Sequence, residues 1–261
     1  MADFKIVRRN EKISTIPALL DRVRDARNDS PTGAVWLRGL PDASYPLLPS
    51  IGRVQRFAGR QMTFDKAIEQ RFLHRFRRHS FAFFNRTLTE WEALFVARHH
   101  GLPVRLLDWS SNPLAALFFA CDYSSVQLPS DAKIWFLIPS KHIPVGYLDV
   151  FDCALGPFDV QGIRLIYPME VAPRLNAQSG LFTIQQDAWT PLDEIDVSGL
   201  QDSDVDVLKL IEYYIPAQCR GELLKELNDL QVTRRTLFPD LDGLSSGLIS
   251  AEILRSRKPM A

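Results

Sequence analysis

Few cysteines and no net charge are the first features of the chain, and both exclude classes of protein. Its three cysteines are Cys121, Cys153 and Cys219, an odd number at wide spacing. They fit neither a disulfide framework nor a paired-cysteine metal site, so we expect a reducing compartment. Basic and acidic residues balance at 31 each. Bulk charge therefore favours neither nucleic acid nor a membrane surface.

Long apolar runs are also absent. No stretch reaches the roughly 18 residues of a membrane span. The opening segment MADFKIVRRNEK lacks the apolar centre of a secretion signal. We therefore expect a cytoplasmic protein with no membrane partner. The glycine-rich patterns of common nucleotide-binding loops are missing. Apolar residues make up 46% of the chain, which is enough for a sizeable core.

Helix and strand patterns are mixed along the chain, which predicts an α+β fold in one domain, with a helical N-terminal half and a mixed sheet. N-caps at Ser14 or Thr15, Thr89 and Asn112, together with apolar periodicity, predict helices over residues 14–28, 65–85, 88–100, 108–123 (a turn, then a buried helix) and about 242–256. Strands are predicted at residues 34–40, 133–138, 180–185 and 207–215, with a helix after Pro216. Irregular structure is predicted at residues 139–175 and, as a solvated acidic loop, at 187–206.

The most informative segment is residues 96–123, VARHHGLPVRLLDWSSNPLAALFFACDY. It sets charged and polar side chains beside an apolar run that must be buried. Polar groups next to a core need partners, and such arrangements are enriched at functional sites. The candidate binding and catalytic residues within it are His100, Arg105, Asp108, Ser110, Ser111 and Asn112.

Structural interpretations of these residues stay open beside the functional ones. Arg105 and Asp108 are predicted to pair with each other as a clamp, and a buried pair is weak evidence for chemistry. His99 and His100 point about 100° apart on a helix, so we expect no shared metal ion. Ser110, Ser111 and Asn112 precede a helix whose N-terminus favours an anion. One of the three must act as the helix cap.

Two further segments suggest a cleft. Arg38 in VWLRGL could hold a phosphate with its planar fork while Gly39 lets the ligand approach, or it could reach an internal acid. In AQSGLFTIQ, Gln178 enters a strand through a glycine and Phe182 follows. Polar groups in that position often line a cleft, and the alternative is a turn before a core strand.

A basic helix face is predicted over residues 71–86. Its arginines and histidines could contact nucleic-acid phosphates. Solvated amphipathic helices have a similar pattern, and the nearby acids Asp65 and Glu69 dilute the charge. Contact with nucleic acid through residues 71–86 therefore stays one of two interpretations.

Several of these motifs together resemble the FRG domain, a bacterial and phage module named for a Phe-Arg-Gly strand motif. They are WLRGL, YPLLPSIGR, Glu69 with Phe72 and Phe76, Trp91, ARHHGLPVRLLDWSSNPLAALFFAC, NAQSGLFTI and TLFPDLDGL. The resemblance runs from about residue 33 to 248, with Leu37 in place of the aromatic residue. It implies an N-terminal helical segment at residues 1–32 and an FRG domain at 33–261.

A weaker similarity is to mono-ADP-ribosyltransferases of the Arg-Ser-Glu type. It implies an ADP-ribosyltransferase-like cleft that binds NAD as substrate, with Arg38 on a phosphate or ribose. Ser110 and Ser111 would line the nicotinamide side. The implied activity is ADP-ribosyl transfer or NAD cleavage by an effector in toxin or phage-defence systems. The alternative is a non-catalytic FRG module that contacts nucleic acid or a protein partner.

The acid of the transferase pattern is missing. Its segment, residues 176–180, has Gln178 where those enzymes carry a catalytic Glu. An amide can bind a ribose hydroxyl but cannot stabilise the positive charge of an oxocarbenium-like transition state. Either Asp108, Glu69 or Glu212 substitutes for it, or the cleft binds NAD without turnover.

Overall fold

The computed structural model describes residues 4–57, 60–122, 130–140, 155–167, 180–239 and 241–256. Within these ranges, no helix is long and apolar enough to cross a membrane. The strands are β1 Lys5–Lys12, β2 Trp36–Leu40, β3 Gln55–Phe57, β4 Arg60–Met62, β5 Leu107–Ser110, β6 Ala132–Pro139, β7 Ile163–Ile166, β8 Gly180–Gln185 and β9 Val207–Ile215. The helices are α1 Ile16–Asn28, α2 Lys66–Phe84, α3 Glu90–His99, α4 Pro113–Cys121, α5 Ala217–Asp229, α6 Arg234–Leu237 and α7 Leu241–Ser256.

Seven of the described strands form one mixed sheet in the order β1-β9-β6-β2-β5-β8-β7. The β1–β9 pair is parallel and the other pairs are antiparallel. Strands β3 and β4 make a separate hairpin. The α+β class and the mixed sheet are as predicted.

The helices divide one face of the sheet between two cores. Helices α1, α4, α5 and α6 cover the half made by β9, β6 and β2. Helices α2 and α3 cover the half made by β8 and β7, together with Val104 and Leu106 just before β5. The register places Leu37 opposite Ser110 and Asp108 opposite Phe182, so both cores lie on the same face. The boundary between the two halves falls between β2 and β5.

Helix α4 packs unusually close to β2. A Cβ on Gly39 would lie 2.0 Å from the Ala116 carbonyl oxygen and 2.5 Å from the Ala120 amide nitrogen. Asn112 caps the helix by accepting from the amides of Leu114 and Ala115. Helix packing therefore requires a glycine at this position. Gly39 also lines the cleft between β2 and β5, so its role in admitting a ligand stays a prediction.

Most of the predicted elements are confirmed, including the caps Thr15, Thr89 and Asn112. Three predictions are wrong. Residues 108–110 belong to strand β5 and not to a turn, because they pair with β8. The acidic segment 187–206 is not purely a solvated excursion, since Leu192 and Val205 are buried in the core of the opposite sheet face. Strand β7 lies where irregular structure was expected.

The N-terminal segment is not purely helical. Residues 1–32 contain strand β1 as well as α1, and β1 pairs with β9 at one edge of the main sheet. Its alternately exposed, charged sequence KIVRRNEK gives a weak strand signal. The boundary of the FRG domain at residue 33 stays a prediction.

Candidate functional site

A cleft opens where β2 and β5 stop pairing. These two strands share one residue pair, Leu37 with Ser110. Beyond it lies a cavity of about 340 Å³, within the range of about 300–1,000 Å³ that is typical of small-molecule sites. Its polar lining comes from β2, β5, α3, α4 and the loop after β2: Arg38, Tyr45, Arg53, Arg98, His99, Asp108, Ser110 and Asp122.

Asp108 lies at the centre of the polar lining. Arg38 Nη1 donates to its carboxylate Oδ2 at 3.3 Å and to its main-chain carbonyl at 2.7 Å. Arg98 Nε donates to Oδ1 at 3.1 Å, and Arg98 Nη2 donates to Oδ2. The Asp108 side chain is 36% exposed and that of Arg38 is 12% exposed. The side chains of Asp108 and Arg38 therefore border the cleft and are accessible from it.

A third arginine completes the cluster. Arg53 is fixed to the Leu48 carbonyl by Nε at 2.9 Å and Nη2 at 2.8 Å. Two guanidinium groups thus bind the Asp108 carboxylate directly, and that of Arg53 interacts with it electrostatically. Asp122, the other acid of the lining, pairs with Arg234 of α6 at 2.6 Å. The cleft carries an excess of positive charge.

The pKa shifts reflect this crowding. Burial, with smaller contributions from Arg53 and Arg98, lowers the pKa of Arg38 to about 10 against the opposing effect of Asp108. Burial and then Arg98 lower the pKa of Arg53. Burial alone would raise the pKa of Asp108, but Arg98 and Arg38 outweigh it and the pKa is lowered. The lowered pKa of Asp108 keeps its carboxylate ionised at neutral pH, and the pKa of Arg38 stays well above neutral.

One buried donor of the cluster lacks an acceptor. The Nε of Arg38 is buried and has no hydrogen-bond partner among the residues that the structure describes. Buried polar groups are nearly always paired, with protein, water or ligand. Because Arg38 lines the cleft, a ligand oxygen there could accept from it.

The start of α4 supplies the remaining polar groups. Ser110 lines the cleft, and its hydroxyl accepts from the Asn112 amide at 3.1 Å. Asn112 acts as the helix cap, and neither it nor Ser111 is part of the lining. Phe182, opposite Asp108 on β8, contributes to the apolar wall.

The predicted Arg105–Asp108 pair is wrong. Arg105 pairs with Glu69, with Nη2 donating to Oε2 at 2.8 Å, and both side chains are 1% exposed. The Arg105 guanidinium also lies 4.5 Å from the ring centre of Phe158. The sequence favoured the nearby acid Asp108, but helix α2 brings Glu69 to Arg105 across 36 residues. Arg105 is therefore structural and lies outside the cleft.

The histidine in the cleft is also not the predicted one. His100 caps the C-terminus of α3 and is exposed, whereas His99 lines the cleft. Their rings make an edge-on contact at 4.9 Å. Within the described ranges, no three His, Cys, Asp or Glu side chains are grouped to hold a metal. Gln178 lies outside the described residues, so its place in the site stays a prediction.

Arg53, Arg98 and His99 were not among the predicted site residues. Arg53 closes the motif YPLLPSIGR, and the other two belong to ARHHGLPVR. Both motifs were recognised, but only the fold shows that the loop with Arg53 and the end of helix α3 meet at Asp108.

Comparison with known proteins gives one match. Residues 33–127 match the model of the FRG domain family. The match is shorter than the resemblance over 33–248, yet it contains all three arginines, Asp108 and Ser110. No curated protein matches the chain, and no solved structure does.

Proposed function

We propose that the FRG domain at residues 33–127 binds NAD or a related nucleotide in the cleft between β2 and β5. The protein would then be an ADP-ribosyltransferase-like or NAD-cleaving effector of toxin or phage-defence systems. The observation that carries the proposal is the cluster of Arg38, Arg53 and Arg98 around the single acid Asp108. A dinucleotide pyrophosphate would supply the missing negative charge.

The geometry of Arg38 supports a phosphate or ribose contact. Its Nη1 is engaged with Asp108, while its Nε is buried and without a partner in the described part of the chain. A ligand oxygen that accepts a hydrogen bond from Nε would satisfy this unpaired donor of the guanidinium group. The Ser110 hydroxyl and the Phe182 ring border the same space, and we assign them to the nicotinamide end.

Asp108 is the acid that suits the chemistry. In NAD cleavage the bond between ribose C1′ and the nicotinamide nitrogen breaks, and the electron pair leaves with nicotinamide. The acceptor nucleophile, water or a target group, bonds to C1′ and gives up a proton. The transition state resembles an oxocarbenium ion, which a carboxylate stabilises. Asp108 has a lowered pKa and is ionised at neutral pH.

The other two candidate acids, Glu69 and Glu212, form ion pairs outside the cleft. Glu69 is buried against Arg105. Glu212 on β9 pairs with Lys133 at 2.6 Å, and β6 and β2 separate β9 from the cleft. Neither reaches the lining. Asp108 therefore takes the role that the missing family Glu would have.

The test combines NAD titration calorimetry with chromatographic detection of nicotinamide. Arg38→Lys keeps the charge but loses the planar fork, so NAD should bind at least about tenfold more weakly, equivalent to about 1.4 kcal/mol. The control is Arg24→Lys, a surface arginine paired with Asp21, which should leave NAD binding unchanged. Asp108→Asn should abolish nicotinamide release while NAD still binds, since the positive charge stays.

The parent protein decides between the candidate functions. NAD binding with nicotinamide release supports an enzyme. NAD binding without release supports the non-catalytic module. The absence of both binding heat and nicotinamide would overturn the proposal.

A further inference from the structure

Helix α2 and the turn after it carry a charge pattern that the cleft does not use. Residues 70–86, QRFLHRFRRHSFAFFNR, contain five arginines and two histidines and no acidic residue. In a chain with no net charge, this segment has a marked local excess of positive charge. Two of the arginines are used within the protein: Arg77 donates to the Leu88 carbonyl, and Arg86 pairs with Glu92.

Arg71, Arg75 and Arg78 form a row on the outer face of α2. At 3.6 residues per turn they fall within an arc of about 60°, and the helical rise separates neighbours by roughly 4.5–6 Å along the axis. All three are exposed, and none pairs with an acidic side chain of the described chain. A line of cations is complementary to a polymer of regularly spaced anions, and a single anion would need only one of them.

The opposite face of α2 is buried. Leu73 packs into the core with α3, and Ser80 is also buried. Glu69 anchors the same face to Arg105. A helix that binds a membrane surface must insert its apolar face. Here that face is occupied by the protein itself, which disfavours a lipid partner.

Aromatic and apolar groups lie beside the arginine row. A groove next to Arg71 and Arg75 has apolar walls formed by Met62, Phe64, Ile68, Phe72, Leu102 and Pro103. Phe83 is 87% exposed. At 3.6 residues per turn Phe83 lies on the same flank of α2 as Phe72, three turns further on, about 80° around the axis from Arg75 and about 140° from Arg78. An exposed aromatic ring on the flank of a helix that carries a row of arginines can stack on a base while the arginines hold the phosphates.

We propose that the outer face of α2 binds single-stranded nucleic acid, with Arg71, Arg75 and Arg78 on successive phosphates and Phe83 stacked on a base. The strand would follow the helix and place a base near the apolar groove. This surface is separate from the cleft, so the proposal does not depend on NAD binding.

Fluorescence anisotropy with a labelled single-stranded 20-mer, as DNA and as RNA, tests the proposal over a range of salt concentrations. Replacing Arg71, Arg75 and Arg78 together by Gln should weaken binding at least tenfold. It should also reduce the salt slope by about 2, since each phosphate contact on a single strand contributes about 0.7. The control replaces Arg8, Arg22 and Arg24 by Gln. These surface arginines lie on β1 and α1, and their loss changes the net charge equally.

A second variant tests stacking. Phe83→Ala should weaken binding about tenfold and Phe83→Tyr should not, while both keep the parent melting temperature because the ring is exposed. The proposal is overturned if the parent binds neither strand, or if the two triple variants lose equal affinity. It is also overturned if phosphatidylserine vesicles or a poly-glutamate peptide bind as tightly as the oligonucleotides.

Discussion

The side chain of Arg38 joins two strands that no longer pair. Its Nη1 donates to the main-chain carbonyl of Asp108 at 2.7 Å, beyond the last residue pair of β2 and β5. A side chain thus replaces a ladder hydrogen bond and leaves space beside it. Arg38 therefore connects β2 and β5 across the cleft. It is also the residue that we expect to contact a ligand there.

The first prediction concerns Asp108→Ala. The substitution leaves Arg38, Arg53 and Arg98 together without their shared carboxylate. We expect a loss of about 1–3 kcal/mol of unfolding free energy, the usual effect of removing a partner of a charged hydrogen bond. A fully buried ion pair would lose more, but the Asp108 side chain is 36% exposed. Urea unfolding measures the change.

An added anion should reverse this loss. Sulfate binds the folded variant at the arginines and should restore most of its stability, whereas chloride at matched ionic strength should not. The parent, in which Asp108 already occupies the arginines, should gain less from sulfate. Equal gains in the two proteins would contradict an anion site in the cleft.

The second prediction separates helix packing from ligand access at Gly39. Gly39→Ala places a Cβ 2.0 Å from the Ala116 carbonyl oxygen, and backbone atoms cannot give way. We expect a loss of at least about 3 kcal/mol, at the upper end for overpacked sites. The matched control is Gly221→Ala in α5, where the Cβ meets nothing within 4 Å and should stabilise by about 0.5–1 kcal/mol. Similar melting temperatures for both variants would refute the packing argument.

The third prediction tests the structural role of the Glu69–Arg105 pair. Glu69→Ala leaves a guanidinium group buried at 1% exposure without its partner, which typically costs about 3–5 kcal/mol. NAD affinity of the folded variant should not change, because neither residue lines the cleft. The control is Glu222→Ala, a surface partner of Lys225, with an expected change below about 1 kcal/mol. A loss of NAD affinity alone would place Arg105 in the site instead.

Features encoded within a few neighbouring residues were predicted better than contacts between segments that meet only in the tertiary fold. Thr89 and Asn112 were recognised as caps because the capping signal lies within three residues. The partner of Arg105 was mispredicted because proximity along the chain favoured Asp108, while Glu69 arrives on a distant helix. Arg53 was missed for the same reason, whereas Arg98 lies 10 residues from Asp108 and was not singled out within residues 96–123. Each motif was visible by itself, but only the tertiary fold brings the two arginines to one carboxylate.

The last prediction concerns acid stability. Hydrogen bonds from Arg86 lower the pKa of Glu92 to about 2, burial opposes the shift, and the Thr89 amide adds to it. Because the folded pKa lies below the unfolded value of 4.5, the stabilisation is complete above about pH 4.5 and is lost as the pH falls towards 2. Arg86→Gln should therefore lower stability at pH 7 and flatten its decline between pH 5 and 2.5. Arg71→Gln, an exposed arginine on α2 without an acidic partner in the described chain, should leave that decline unchanged. Thermal melts across this pH range measure both, and equal declines in the parent and Arg86→Gln would show that Glu92 is not responsible.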